Sequence, residues 1–96
     1  GYSRQMQHNI IKHFDLEPHV DDFISSEEVS YGRPFPYMIH RLMERNQVLN
    51  VKNVAKIGDT LNDMKEGRNA GCGLNIGFYF FSIMIFYMIK KNLFFF

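Results

Sequence analysis

The segment Val54-Ala55-Lys56-Ile57-Gly58-Asp59-Thr60-Leu61-Asn62-Asp63 limits what this chain can fold into more than any other. Its mostly apolar start reads as a strand, Gly58 breaks that strand, and Thr60 is placed to cap a helix that follows at once. Asp59 and Asp63, four residues apart, are therefore presented where a strand gives way to a helix. In an open α/β sheet the ligand crevice lies beyond the carboxyl ends of the strands, where side chains on the turn converge on a bound group. An Asp in that place can hold Mg²⁺, which takes carboxylate, water and phosphate oxygens.

The flanking segments fit such a sheet. From Ser3 to Phe14 the apolar residues Met6, Ile10, Ile11 and Phe14 recur at helical spacing and predict a surface helix with one buried stripe. Leu16-Glu17-Pro18-His19 ends it, and Asp22 to Ser26 predicts a short strand leading into the acidic Glu27-Glu28 turn. After the loop Ser30 to Pro34, Pro36 suits the first turn of a second helix. That helix has Ile39, Leu42 and Met43 as its inward stripe and stops near Asn46. Val51 to Ile57 is the next predicted strand, Asn62 to Ala70 the next helix, ended by Gly71, and Gly73 to Gly77 one further strand. The alternation implies an α/β fold with a parallel sheet and crossover helices, of the doubly wound, Rossmann-like kind. Three predicted strands make only part of such a sheet and leave an unpaired edge.

Composition narrows the function classes. The 96 residues suffice for one small domain. Eleven Lys and Arg against ten Asp and Glu leave no basic stripe for nucleic acid, so any phosphate preference is local. The single Cys72 rules out an intrachain disulfide and is read as a small packing residue. With no charged-then-apolar leader at the start, a cytoplasmic location is expected. The chain opens on Gly, so its natural beginning is expected to lie upstream. The histidines show no His-Glu-x-x-His or Cys-paired spacing, and Asp59 to Asp63 lacks the further oxygen ligands of a calcium loop.

After Gly77 the pattern changes. Phe78 to Ile89 has no charge, no turn residue and neither helical nor strand period, and Lys90 to Phe96 is equally unpatterned. Residues 1–77 are thus read as one domain part and 78–96 as an apolar aromatic tail. The tail is rich in residues encoded by A/T-rich codons, which suggests translation through an intron or a shifted frame; the other reading is a membrane-associated segment. Ile76 to Ile89 gives 14 consecutive uncharged residues, short of the roughly 20 that a spanning helix needs, so a membrane anchor is not the expected reading.

A second informative segment is Gly32-Arg33-Pro34-Phe35-Pro36-Tyr37, in which prolines stiffen the approach to the second helix and aim one charged side chain, Arg33. Taken with Gly58-Asp59-Thr60-Leu61-Asn62-Asp63 and the trailing Glu66-Gly67-Arg68-Asn69-Ala70-Gly71, this order resembles the C-terminal half of a haloacid dehalogenase-type phosphohydrolase core without its cap. Within that superfamily it resembles the phosphonatase-like branch. The common form carries Lys in the Gly-x-Pro-x-Pro segment, whereas this chain, like that branch, carries Arg. The opening Gly1-Tyr2-Ser3-Arg4 is similar to the Gly-Tyr-x-Arg that follows the second superfamily motif.

The resemblance implies a role for each matched residue. Asp59 would coordinate Mg²⁺, and Asp63 would ligate it, directly or through water, or orient a neighbouring group. Arg33 would balance the charge of phosphate and of a nucleophilic carboxylate, and Arg4 would contact the phosphoryl or phosphonyl group. The implied substrate is a small phosphonate or phosphate monoester, and the implied parent is an enzyme that could form a homodimer. Structural alternatives stand beside each role: a solvated loop arginine for Arg33, a capping box for Asp63, a helix-surface charge for Arg4. The family's nucleophile lies in an Asp-x-Asp segment, and none occurs in this chain; its second-motif Ser or Thr and cap Lys are likewise unmatched. The expectation is therefore a fragment inactive alone, the alternative a non-catalytic interaction or membrane-associated remnant of the same fold.

Overall fold

The computed structural model describes residues 3–77 and 94–95. Helix α1, Arg4–His13, starts where the Ser3 hydroxyl accepts the Met6 N–H, and β1, Asp22–Phe23, follows after a single 3-10 turn. Another 3-10 turn, Ser26–Glu28, carries a capping box between Ser25 and Glu28 and leads through the proline-rich loop to α2, Tyr37–Arg45. Strand β2, Ala55–Gly58, then runs into α3, Leu61–Ala70, and β3, Leu74–Gly77. Phe94–Phe95 form β4.

The strands are parallel, as the sheet–helix alternation requires, but they divide into two pairs. β2 pairs with β3 in register Ala55 to Leu74 through Gly58 to Gly77, while β1 pairs with β4. Among the described residues β1 and β2 are not paired with each other, so the parallel pairing expected from the sequence is seen as two two-stranded pieces. The predicted strand from Val51 also starts late, because residues 51–53 form a 3-10 turn whose entry is tied by the Asn50 side chain accepting the Lys52 N–H. Other tail readings fall on residues 78–93 and 96, outside the described residues. Among the described residues no helix is long and apolar enough to cross a membrane.

Helix α2 separates two apolar clusters. Met38 and Leu42 pack with Ile24 and Val29 on one side; Ile39 packs with Ala70, Cys72, Met43, Val51 and Val54 on the other. Cys72 is thereby a buried packing residue, and burial pushes its thiol pKa up. The buried face of α1 differs from the stripe expected. Gln7 and Ile11 are inward, whereas Met6 and Phe14 are exposed. A polar tie accompanies this: Gln7 Nε2 donates to the Ile24 carbonyl at 2.6 Å, which gives the buried amide's donor a partner and fixes that face of the helix inward, while Gln7 Oε1 has none among the described residues.

Two close approaches fix α3 on its sheet. A Cβ at Gly67 would overlap the Asn75 side-chain oxygen on β3 and lie 2.8 Å from Lys56 Cβ on β2. At the helix end Gly71 takes φ +88°, the left-handed conformation that closes a helix at little cost for glycine. His40 Nε2 lies 3.0 Å from the Ala70 carbonyl and ties α2 to the same helix end.

Candidate metal and anion site

The site is built where β2 turns into α3. Thr60 caps the helix: its hydroxyl accepts the Asp63 N–H at 3.1 Å and donates to Asp63 Oδ2 at 2.7 Å, while the Thr60 N–H donates to the same oxygen at 3.1 Å. The capping box weighed for Asp63 is therefore formed. It also aims the second oxygen of that carboxylate, because Asp63 Oδ1 meets Arg33 Nε at 3.0 Å and Lys56 Nζ at 3.3 Å. A Cβ on Gly58 would lie 2.6 Å from Asp63 Oδ2, so only glycine lets the carboxylate fold back over the strand end.

Lys56 and Glu66 belong to the same group. Lys56 Nζ lies 3.1 Å from Glu66 Oε1, and Arg33 Nε lies 3.3 Å from that same oxygen. Two cations and two carboxylates thus alternate in a closed ring drawn from the proline-rich loop, β2 and α3. The side chains of Lys56 and Glu66 are 3% and 0% exposed. Neither was singled out as a site residue from the sequence. The signal available was a lysine inside a strand, in alternation with Ile57, and a second acid one turn beyond Asp63 on one helix face. The strand carries that alternation inverted, with Lys56 buried and Ile57 38% exposed.

Electrostatics separate the two acids. Burial alone would raise Asp63, but the Thr60 hydroxyl, Lys56, the Thr60 N–H and Arg33 hold its carboxyl below the usual range. For Glu66 burial wins over Lys56 and Arg33, and its pKa is pushed up. Neither Glu66 oxygen has a hydrogen-bond partner among the described residues; Oε1 is held at ion-pair distance by Lys56 and Arg33.

Arg33 is positioned from its backbone as well as its head. The Phe35 N–H donates to the Gly32 carbonyl at 3.0 Å, Asn69 Nδ2 on α3 donates to the Pro34 carbonyl at 2.8 Å, and the Arg33–Pro34 peptide is cis. The Arg33 side chain is 25% exposed, and its Nε is buried, within ion-pair range of both carboxylates but without a hydrogen bond to the described residues. Its terminal nitrogens donate no hydrogen bond to the described residues.

The remaining predicted residues fall in different places. Asp59, adjacent to Thr60, is exposed, and its carboxylate makes no hydrogen bond or ion pair with the described residues. Arg4 is not part of the ring. Its Nη1 donates to Glu28 Oε2 at 2.8 Å and to the Phe23 carbonyl at 3.2 Å, and its guanidinium stacks over the Phe23 ring at 4.3 Å. Arg45 joins the same network through Asp22, to which Asn46 Nδ2 also donates.

These donors suit a hard cation of low protein coordination. No three His, Cys, Asp or Glu side chains converge among the described residues, but Mg²⁺ commonly binds through one or two carboxylates, with water and phosphate oxygens as the other ligands. Asp59 fits as such a ligand. Asp63 has both oxygens engaged by Thr60, Arg33 and Lys56, which fits orientation or contact through water better than direct ligation.

The end of β2 thus brings together, on an α/β frame, an exposed carboxylate, an acid that reaches back to the helix cap and an arginine in ion-pair range of two carboxylates. The chain belongs to the haloacid dehalogenase-like hydrolase family, whose profile matches residues 1–75. It is 39% identical over 72 residues to a phosphonoacetaldehyde hydrolase of Bacillus cereus strain B4264, a match covering 74% of this chain and 27% of that protein. A phosphonoacetaldehyde hydrolase of Bacillus thuringiensis strain Al Hakam is 40% identical over the same share of each chain. The matched region thus spans about a quarter of the length of these relatives.

Proposed function

We propose that this chain carries the metal-binding and charge-balancing part of a Mg²⁺-dependent hydrolase of the phosphonoacetaldehyde hydrolase kind, acting on a small phosphonate or phosphate monoester. The observation that carries the reading is the Arg33 guanidinium, in ion-pair range of Asp63 and Glu66 at its Nε edge, with its terminal nitrogens making no hydrogen bond to the described residues. The names of the relatives supply the substrate class.

Phosphoryl and phosphonyl transfer ask mainly for positioning and for neutralisation of charge on the transferring group. Mg²⁺ held by Asp59 would supply part of that neutralisation. Arg33 supplies the rest, since its planar fork stays charged at any working pH and binds two oxygens at once. Asp63 orients Arg33 and, through Thr60, fixes the turn that carries Asp59. We assign Arg4 the anchoring of α1 to β1 and the Ser26–Glu28 turn, in line with its contacts to Glu28 and Phe23.

The covalent step in this family needs a nucleophilic Asp from an Asp-x-Asp segment, and these 96 residues contain none. The chain by itself is accordingly proposed to be inactive. Purified 1–96 with Mg²⁺ should hydrolyse neither phosphonoacetaldehyde nor a chromogenic phosphate ester above background. Turnover that disappears in Asp59→Asn would refute the proposal.

A further inference from the structure

We propose that Lys56 and Glu66 are positioning residues of this site: together they hold Arg33 by its Nε edge, so that its terminal nitrogens stay turned to a phosphate or phosphonate oxyanion. The proposal rests on the reading of Arg33 as the anion-binding group.

The geometry points to this division of labour. Arg33 Nε and Lys56 Nζ both contact Asp63 Oδ1 and both contact Glu66 Oε1. Without Glu66, the two cations would compete for one oxygen of Asp63, whose other oxygen is already used by Thr60. Without Lys56, two buried carboxylates would share the charge of one guanidinium. Each member thus constrains the place of the others, and Arg33 combines a partly exposed side chain with terminal nitrogens that donate no hydrogen bond to the described residues. Lys56 is carried on β2 and Glu66 on α3, and the bare Gly67 brings the two elements close enough for the pair to form.

Stability gives no sufficient reason for the arrangement. A buried ion pair is generally matched or exceeded in stability by apolar side chains of similar volume. Here both Glu66 oxygens and Arg33 Nε are also buried without a hydrogen-bond partner among the described residues, a cost that an apolar pair would not carry. What the ionic ring does that an apolar pair cannot is hold a guanidinium by one edge.

The test uses the ¹⁵N-labelled chain. Arg33 Nε is buried, so its proton should exchange slowly with water and give a distinct side-chain signal, assigned by its loss in Arg33→Lys. Inorganic phosphate is titrated with Mg²⁺ present, and the shift of that signal gives the affinity. In the Lys56→Met, Glu66→Gln double variant, which leaves neither of these two charges unpaired, backbone signals should persist. Exchange of the Arg33 Nε proton should then accelerate, and phosphate affinity should fall by about tenfold or more, a loss of about 1.4 kcal/mol. A folded double variant with unchanged exchange and unchanged affinity overturns the proposal, as does one that loses thermal stability while its affinity stays the same. Should the double variant not fold, Glu66→Gln alone, which leaves Lys56 on Asp63, carries the same two readouts. If phosphate does not move the Arg33 signal even in the unsubstituted chain, the anion-binding reading fails. The exchange rate then still decides whether Lys56 and Glu66 position Arg33.

Discussion

Lys56 Nζ and Arg33 Nε, carried by a strand and by a proline-rich loop, approach the same oxygen of Asp63, at 3.3 and 3.0 Å. One carboxylate oxygen thereby joins the core of the domain to the group proposed to bind substrate, while the other oxygen of Asp63 reaches back to Thr60, the residue that caps α3. Structure and site are fastened by one side chain.

Removing one member of the ring should therefore cost more than removing an opposed pair. Lys56→Met leaves Asp63 and Glu66 with Arg33 as their one remaining cation in the ring and should destabilise by about 3–5 kcal/mol, a large part of the stability of a small domain. Adding Glu66→Gln should recover part of that loss. Urea unfolding of the single and double variants checks this, and equal losses in both would contradict it.

Gly67→Ala should destabilise by about 1–3 kcal/mol through overpacking, because its Cβ meets the Asn75 side chain and Lys56 Cβ. Combining it with Asn75→Ala removes the nearer obstacle and should restore part of the stability. The same unfolding measurement reads both variants.

Asp59 and Asp63 should separate cleanly. Asp59 is exposed and makes no polar contact with the described residues, so Asp59→Asn should change stability by no more than about 0.5 kcal/mol. Asp63→Ala removes the reciprocal half of the capping box and two ion pairs, leaving Lys56 and Arg33 one carboxylate short, and should cost at least about 1 kcal/mol. Similar thermal unfolding for the two variants would contradict these assignments.

Stability should also fall in acid through the network around β1. Burial alone would raise Asp22 and Glu28, but hydrogen bonds and charge outweigh it: Asn46, Arg45 and the Phe23 N–H lower Asp22, while the Ser25 N–H, Arg4 and Arg45 lower Glu28. A carboxylate with a lowered folded pKa stabilises above its unfolded value and loses that contribution as pH falls through the folded one. The loss should therefore begin near the ordinary values of 4.5 for Glu28 and 3.8 for Asp22 and continue below them. Arg45→Met, which removes a partner of both acids, should flatten that part of the profile when unfolding midpoints are compared across pH.

The strand–turn–helix at 54–70 was legible because it combines a glycine break, a Thr cap and a terminal glycine, each with a local physical reason. The end of α2 near Asn46 and the start of β3 within one residue were legible for similar reasons. Less legible was whatever depends on partners far along the chain. The inward turn of Gln7 needs the Ile24 carbonyl, and the pairing of β1 needs residues 94–95. Likewise, the sequence named Asp59, Asp63 and Arg33 by motif, but Lys56 looked like a blemish in an apolar strand until its two carboxylate partners were placed beside it. Arg4 showed the reverse: a motif match whose contacts, with Glu28 and Phe23, could not be read from spacing.

The most direct test of the account is a Mg²⁺ titration of the ¹⁵N-labelled chain, following the backbone amides of Gly58, Asp59 and Thr60. The account predicts saturable shifts centred on these residues, abolished in Asp59→Asn while the rest of the spectrum is retained. Shifts of equal size in the Asp59→Asn chain, or none at these amides in the unsubstituted chain, would contradict it.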